Sequence, residues 1–272
     1  SLNITHLSLI SKVTSIVLDD DDDDVEPIFV RFGHPFADFL FTPDSIFMNR
    51  KRKKNTIFHP ATHECAYLHP RRYQPDPGIL DELELFEKRF FILRFNAFKA
   101  HHDVGHGGIT LEQQHKLVKL LEPYGRVLIT TEGSINESLK KYQLRISADR
   151  IHDLLHYADM FIGDSQTMTT EAAILGTPSF KCNSFAGILS VPNEIEHKYR
   201  LCRSFKVTDF DLMYSEIEKQ VNTGSVKEEQ KIRVEKFFQD KIDLTGFLLW
   251  FCEKVHSGEW GKSTNIPWES FK

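Results

Sequence analysis

The stretch DMFIGDSQTMTTEAAILGTPSFKC, residues 159–182, reads as strand, turn, helix, turn and strand in immediate succession. An apolar run ends at Gly163, Asp164 and Ser165 are N-cap candidates, an Ala-rich helix runs to Gly176, and Pro178 opens the next strand. At the helix start, Ser165, Gln166, Thr167 and Met168 offer unpaired amide groups and the positive end of the helix dipole. The hydroxyls of Ser165, Thr167 and Thr169 add donors, so a diphosphate is the expected guest. Glu171, about one helical turn further on, is placed to accept hydrogen bonds from ribose hydroxyls.

The same alternation extends on both sides. Strands are expected at 90–95, 126–130, 159–163, 178–182 and 203–207, with helices over 111–121, 149–157 and 165–175. Strand and helix in regular alternation predict an α/β fold, a Rossmann-like parallel sheet with helices on both faces. Residues 1–75 show one clear strand at 15–18, one further apolar stretch and a Pro- and His-rich connector, too little for a second sheet. The division expected is therefore 1–75 as the residue of a shortened N-terminal domain plus connector, 76–226 as the ligand-binding domain, and 227–272 as C-terminal helices and tail.

After the strand at 90–95 comes NAFKAHHDVGHGG, residues 96–108, at the strand end where ligands bind in open α/β sheets. His102, Asp103 and His106 are the catalytic candidates there, a histidine serving as general acid or base with Asp103 orienting it. Arg94 and Asn96 flank the loop and are assigned to ligand binding. The His102, Asp103 and His106 spacing fits no zinc pattern, so no metal is expected. The acidic run 19–24 and the basic run 50–54 are each expected to be solvated charge without a role.

With 40% hydrophobic and 27% charged residues the chain is an ordinary globular protein, and a formal net charge of -5 argues against a nucleic-acid partner. Cys65, Cys182, Cys202 and Cys252 lack metal-ligand spacing and are expected to be free thiols, which with the lack of a targeting signal leads to a cytoplasmic expectation. No apolar run approaches the length of a transmembrane segment.

The lead-in RIHDLLHYADMFIGDSQTM, the Glu-Ala pair at 171–172 and Gly176-Thr177-Pro178 resemble the C-terminal donor domain of GT-B glycosyltransferases and of the non-hydrolysing sugar-nucleotide 2-epimerases. ECAYLHPRRYQPD at 64–76 and HKYRL at 197–201 resemble the domain of unknown function 354, a family of predicted glycosyltransferases. The resemblance implies binding of a nucleotide-diphosphate sugar, an unidentified acceptor, no cofactor, and a role in surface polysaccharide or glycoconjugate biosynthesis. It places Glu64 and Tyr67 on the cleft and implies that the final helices pack back on the N-terminal segment. It also implies that the catalytic base belongs to the N-terminal domain, so the shortened chain is expected to bind without turnover. The epimerases carry a Gly-Gly pair where this chain has Gln166 and Thr167, which narrows the approach to phosphate and ranks 2-epimerase second. A non-catalytic binding or assembly module of the same fold is the remaining alternative.

Overall fold

A computed structural model of the chain describes residues 2–95, 107–131, 133–223, 226–261 and 264–272. Two compact units are present: unit 1 gathers Ser1–Tyr73, Leu189–Glu194 and Phe238–Lys272, and unit 2 gathers Gln74–Ile188 and Ile195–Phe237. Unit 1 begins with α1 (Leu2–Ile10), β1 (Ile16–Leu18), α2 (Pro27–Phe32), β2 (Phe39–Pro43) and β3 (Thr56–His59). Unit 2 continues with α3 (Gly78–Glu82), β4 (Phe90–Phe95), α4 (Leu111–Leu121), β5 (Arg126–Thr131), α5 (Ile151–Tyr157), β6 (Met160–Gly163), α6 (Gln166–Ile174) and β7 (Ser179–Cys182). The short α7 (Ser190–Asn193) belongs to unit 1, and β8 (Cys202–Phe205) and α8 (Phe210–Thr223) to unit 2. The chain leaves unit 2 along α9 (Lys227–Asp240) and ends in unit 1 with α10 (Leu244–His256) and its tail.

Unit 2 is the Rossmann-like α/β domain that the strand and helix periodicity predicts. Among the described residues its sheet has five strands, all parallel, in the order β5-β4-β6-β7-β8. Alternate side chains of the strands, Phe91, Leu93, Ile129, Met160, Ile162, Phe180 and Cys182, join Leu117 and Val118 of α4 and Phe210 and Met213 of α8 in one apolar core. The α4 N-terminus is fixed by a capping box between Thr110 and Gln113. The helices α5 and α6 touch each other, and α6 packs on β6, β7 and β8 from the opposite face. Strand alternation turns Arg94, Lys181 and Ser204 to that face. Register aligns Thr130, Arg94, Gly163, Lys181 and Ser204 in a single row across all five strands. Gly163 is required within this row, because a Cβ there would lie 2.5 Å from the Arg94 carbonyl oxygen.

Unit 1 corrects the expectation for the N-terminal region. Three parallel strands in the order β1-β2-β3 stand where one clear strand was expected. The strands β2 and β3 have five and four residues, too few for hydrophobic alternation to stand out from a loop. One side of this sheet carries an aromatic layer supplied by α10. Phe251 meets Phe39 and Phe41 edge-on at 4.9 and 4.7 Å, Phe247 meets Phe41 at 5.5 Å, and Trp260 covers Phe251 at 4.5 Å. Asp243 caps α10 by accepting from the Gly246 amide at 3.0 Å and pairs with Arg72 at 2.6 Å.

The two charge runs of unit 1 are also not solvated in the expected way. Asp19, Asp22, Asp23 and Arg50 are buried, Arg50 at 1% exposure. The Arg50 guanidinium donates to Asp19 at 3.0 Å, Asp23 at 2.6 Å and Thr42 Oγ1 at 2.8 Å, while His34 Nε2 also reaches Asp19 at 2.6 Å. Asp22 accepts from Asn49 and from both the amide and hydroxyl of Ser190. The acidic run therefore folds around one arginine, because a buried carboxylate persists only with charged or hydrogen-bonding partners.

Candidate functional site

In unit 2 the first turn of α6 follows the carboxyl end of β6, in the topological position where open α/β sheets bind ligands. Ser165 is the N-cap but makes no side-chain capping bond. Asp164, the other cap candidate, instead accepts from the Ile109 amide at 3.3 Å, and its carbonyl takes Asn183 Nδ2 at 2.9 Å. The cap side chain thus leaves the amides of Gln166, Thr167 and Met168, the first three of the helix, to another acceptor. Thr167 is exposed, whereas Thr169 is buried and directs its hydroxyl to the Ser165 carbonyl at 2.6 Å. That internal bond commits the Thr169 hydroxyl to the helix.

Glu171 lies on the buried side of α6 at 8% exposure, with Oε1 3.1 Å from His152 Nε2 on α5. Arg94, one residue before the end of β4, donates to Thr130 Oγ1 at 2.9 Å. Lys181 lies in the same row, buried, with its ammonium on the Gln166 side-chain oxygen. It carries no mark in the sequence beyond its place between Phe180 and Cys182, two core residues. Asn96, His102, Asp103 and His106 lie outside the described residues.

Unit 1 has its own polar group at the carboxyl ends of its strands. His63, just after β3, places Nδ1 3.1 Å from Asp20, which follows β1, and Nε2 3.4 Å from the Tyr67 hydroxyl. The His63 bond outweighs burial and holds the Asp20 carboxyl below the ordinary range. His63 and Asp20 are each nearly half exposed, at 46 and 43% of their side chains. A neutral imidazole so oriented can take a proton from a hydroxyl. Glu64 is buried beside it, and burial pushes its carboxyl above the usual value. Glu64 and Tyr67 are marked in the sequence by the family resemblance, whereas His63 and Asp20 come together only through the parallel pairing of the strands.

Among the described residues no cluster of three or more His, Cys, Asp or Glu could hold a metal ion, and no helix is long and apolar enough to cross a membrane. All four cysteines are free, and Cys65, Cys182 and Cys202 are buried. A groove of about 600 Å³ between α4 and α8, lined by Lys116, Lys119, Tyr124 and Tyr214, is on the face opposite α6 and contains none of the candidate residues.

No family model matches the sequence, and no curated protein matches it. Solved structures do. A putative UDP-N-acetylglucosamine 2-epimerase from Listeria monocytogenes superposes with a TM-score of 0.54 at 13% identity, covering 98% of this chain and 79% of that one. Arabidopsis thaliana UGT89C1 complexed with quercetin gives 0.52 at 10% identity, covering 87% and 63%. The glycotransferase of kitacinnamycin gives 0.49 at 9% identity, covering 86% of this chain and 60% of that one. The chain spans about three fifths of the length of that protein and of the wall teichoic acid polymerase TagF, of which it covers 62%. At these identities the likeness to the two structures with TM-scores above 0.5 establishes the fold alone.

Proposed function

We propose that unit 2 binds a nucleotide-diphosphate sugar and that the chain is a glycosyltransferase-like protein acting on an unidentified acceptor in surface polysaccharide or glycoconjugate biosynthesis, in the cytoplasm. The observation that carries this reading is the first turn of α6, whose N-cap supplies no side-chain acceptor. Three amide donors and the positive helix end face the carboxyl edge of a parallel sheet there, an arrangement suited to a diphosphate. Arg94 adds a cation, Thr167 a hydroxyl, and Glu171 is the proposed ribose ligand, which requires its carboxylate to turn from His152 toward the sugar. Ser165, Met168, Thr169 and Asn96 complete the proposed site, Thr169 through its backbone because its hydroxyl is committed.

In unit 1 the Asp20 and His63 pair is the proposed proton acceptor for a hydroxyl substrate, supported by its 3.1 Å contact and exposure. His102, Asp103 and His106 remain proposed catalytic candidates as well. The 2-epimerase alternative is favoured by the superposition with the Listeria protein and weakened by Gln166 and Thr167 in place of glycines. Calorimetric titration of the chain with UDP, GDP, CMP and TDP tests the proposal. Saturable binding of one of them, weakened when Thr167 and Arg94 are replaced by Ala, is the expected result. Failure of all four would favour a non-catalytic module. A product assay with the matching sugar nucleotide then separates transfer from epimerisation.

A further inference from the structure

Lys181 is among the largest fully buried side chains of the molecule, at 1% exposure. Its neighbours in β7, Phe180 and Cys182, belong to the core beneath α4 and α8, so alternation turns the lysine to the face that carries α6. There the ammonium donates to Oε1 of Gln166, the first residue of that helix. Among the described residues no carboxylate pairs with it, and Glu196, which favours the charged form from further away, accepts from the Ser204 amide at 2.8 Å. Ser204 stands beside Lys181 in register, with a buried hydroxyl that has no partner among the described residues. On the other side stands Gly163, which has no side chain, and beyond it Arg94.

This placement is electrostatically unfavourable for the protein alone. An ammonium in the interior is costly unless a counter-charge and hydrogen bonds compensate it, and one neutral carboxamide oxygen serves one of three donors. The positive end of α6 adds repulsion, since a helix N-terminus favours anions. Burial accordingly lowers the lysine pKa from its ordinary value. A single anion at the first turn of α6 would remove both penalties.

We infer that Lys181 is a phosphate ligand held in reserve, with the Gln166 side-chain oxygen occupying the place of an anionic oxygen until a diphosphate enters at the first turn of α6 and displaces it. The inference rests on the nucleotide-binding reading of that helix and assigns it a second cation that the sequence does not announce. Gln166 and Thr167, bulkier than the glycines of the epimerases, then need not obstruct phosphate, because Gln166 swings away as the ligand arrives.

The test is calorimetry on the full chain with inorganic pyrophosphate and with UDP, GDP, CMP and TDP, using the parent, Lys181→Met and Gln166→Ala, with a thermal scan of each ligand-free protein. Lys181→Met is expected to lose about tenfold or more in affinity for pyrophosphate while melting no lower than the parent, because it deletes an uncompensated buried charge. Gln166→Ala is expected to bind pyrophosphate more tightly, having lost the competing oxygen. A folded Lys181→Met protein with parental pyrophosphate affinity overturns the role of Lys181 and leaves the nucleotide reading standing if a nucleotide still binds. A parent that binds pyrophosphate but no nucleotide overturns the nucleotide reading and leaves the anion site, and a parent that binds neither overturns both. Should Lys181→Met fail to fold, Gln166→Ala decides, with unchanged or weaker pyrophosphate binding overturning the displacement.

Discussion

Asp20 and Asp21 are adjacent in one acidic run and have opposite electrostatics. Asp20 is held low by His63, whereas burial, with Asp20 and Asp19 next to it, pushes Asp21 up to about 6 from 3.8. Between those two values the folded state binds more protons at Asp21 than the unfolded chain does, so the contribution of this residue to stability falls as pH rises through that window. Asp21→Asn should therefore leave stability unchanged near pH 4 and raise it near pH 7 by on the order of 1 kcal/mol, discounted for partial exposure, as read by urea unfolding at both values. If His63 takes a substrate proton, His63→Ala should lower turnover by roughly 10²-fold or more, with Asp20→Asn following it, and leave nucleotide affinity unchanged. Equal loss of nucleotide affinity would indicate a fold defect instead. None of this was legible at the residues themselves. Six consecutive aspartates read as repulsion until Arg50 is seen among them, and nothing in NRKRKKN says which cation turns inward. His63 and Asp20 become a pair only through the register of β1, β2 and β3.

The longer elements of unit 2 were more legible, because the six residues of β4 and β5 and the eleven of α4 let a period show. The strand FFILRF and the helix LEQQHKLVKLL fall at β4 and α4. The first turn of α6 was legible as a cap, but its decisive property, that Ser165 makes no capping bond while Asp164 serves Ile109, belongs to three dimensions. Gly163 at the end of β6 allows the close approach to β4 beside that turn. Gly163→Ala should cost about 1–3 kcal/mol by forcing the Arg94 carbonyl away, measured by chemical denaturation. The opposite kind of change probes α10. Phe251, fully buried between Phe39, Phe41 and Trp260, should cost about 3–5 kcal/mol on replacement by Ala, whereas Leu249 on the same helix, 57% exposed, should cost little. Similar losses at both positions would contradict the packing described for α10.

A ligand that binds only the folded form stabilises it by mass action, so a nucleotide at about 100 times its Kd should add about 2.7 kcal/mol to the stability of unit 2. Hydrogen exchange should report that gain as slowed exchange at the amides of Gln166, Thr167 and Met168 and along β7, and uniform protection without focus there would argue against α6 as the site. Unit 2 is nearly continuous in sequence, whereas unit 1 closes its aromatic layer with α10, supplied from the opposite terminus to β2. During synthesis Phe39 and Phe41 therefore emerge from the ribosome long before Phe247 and Phe251 exist to cover them. Unit 2 can mature while that strand surface waits, open to chaperones and to self-association. A stop codon ahead of α10 should accordingly yield a chain that aggregates through β1, β2 and β3, although the missing residues follow the whole of unit 2 in sequence.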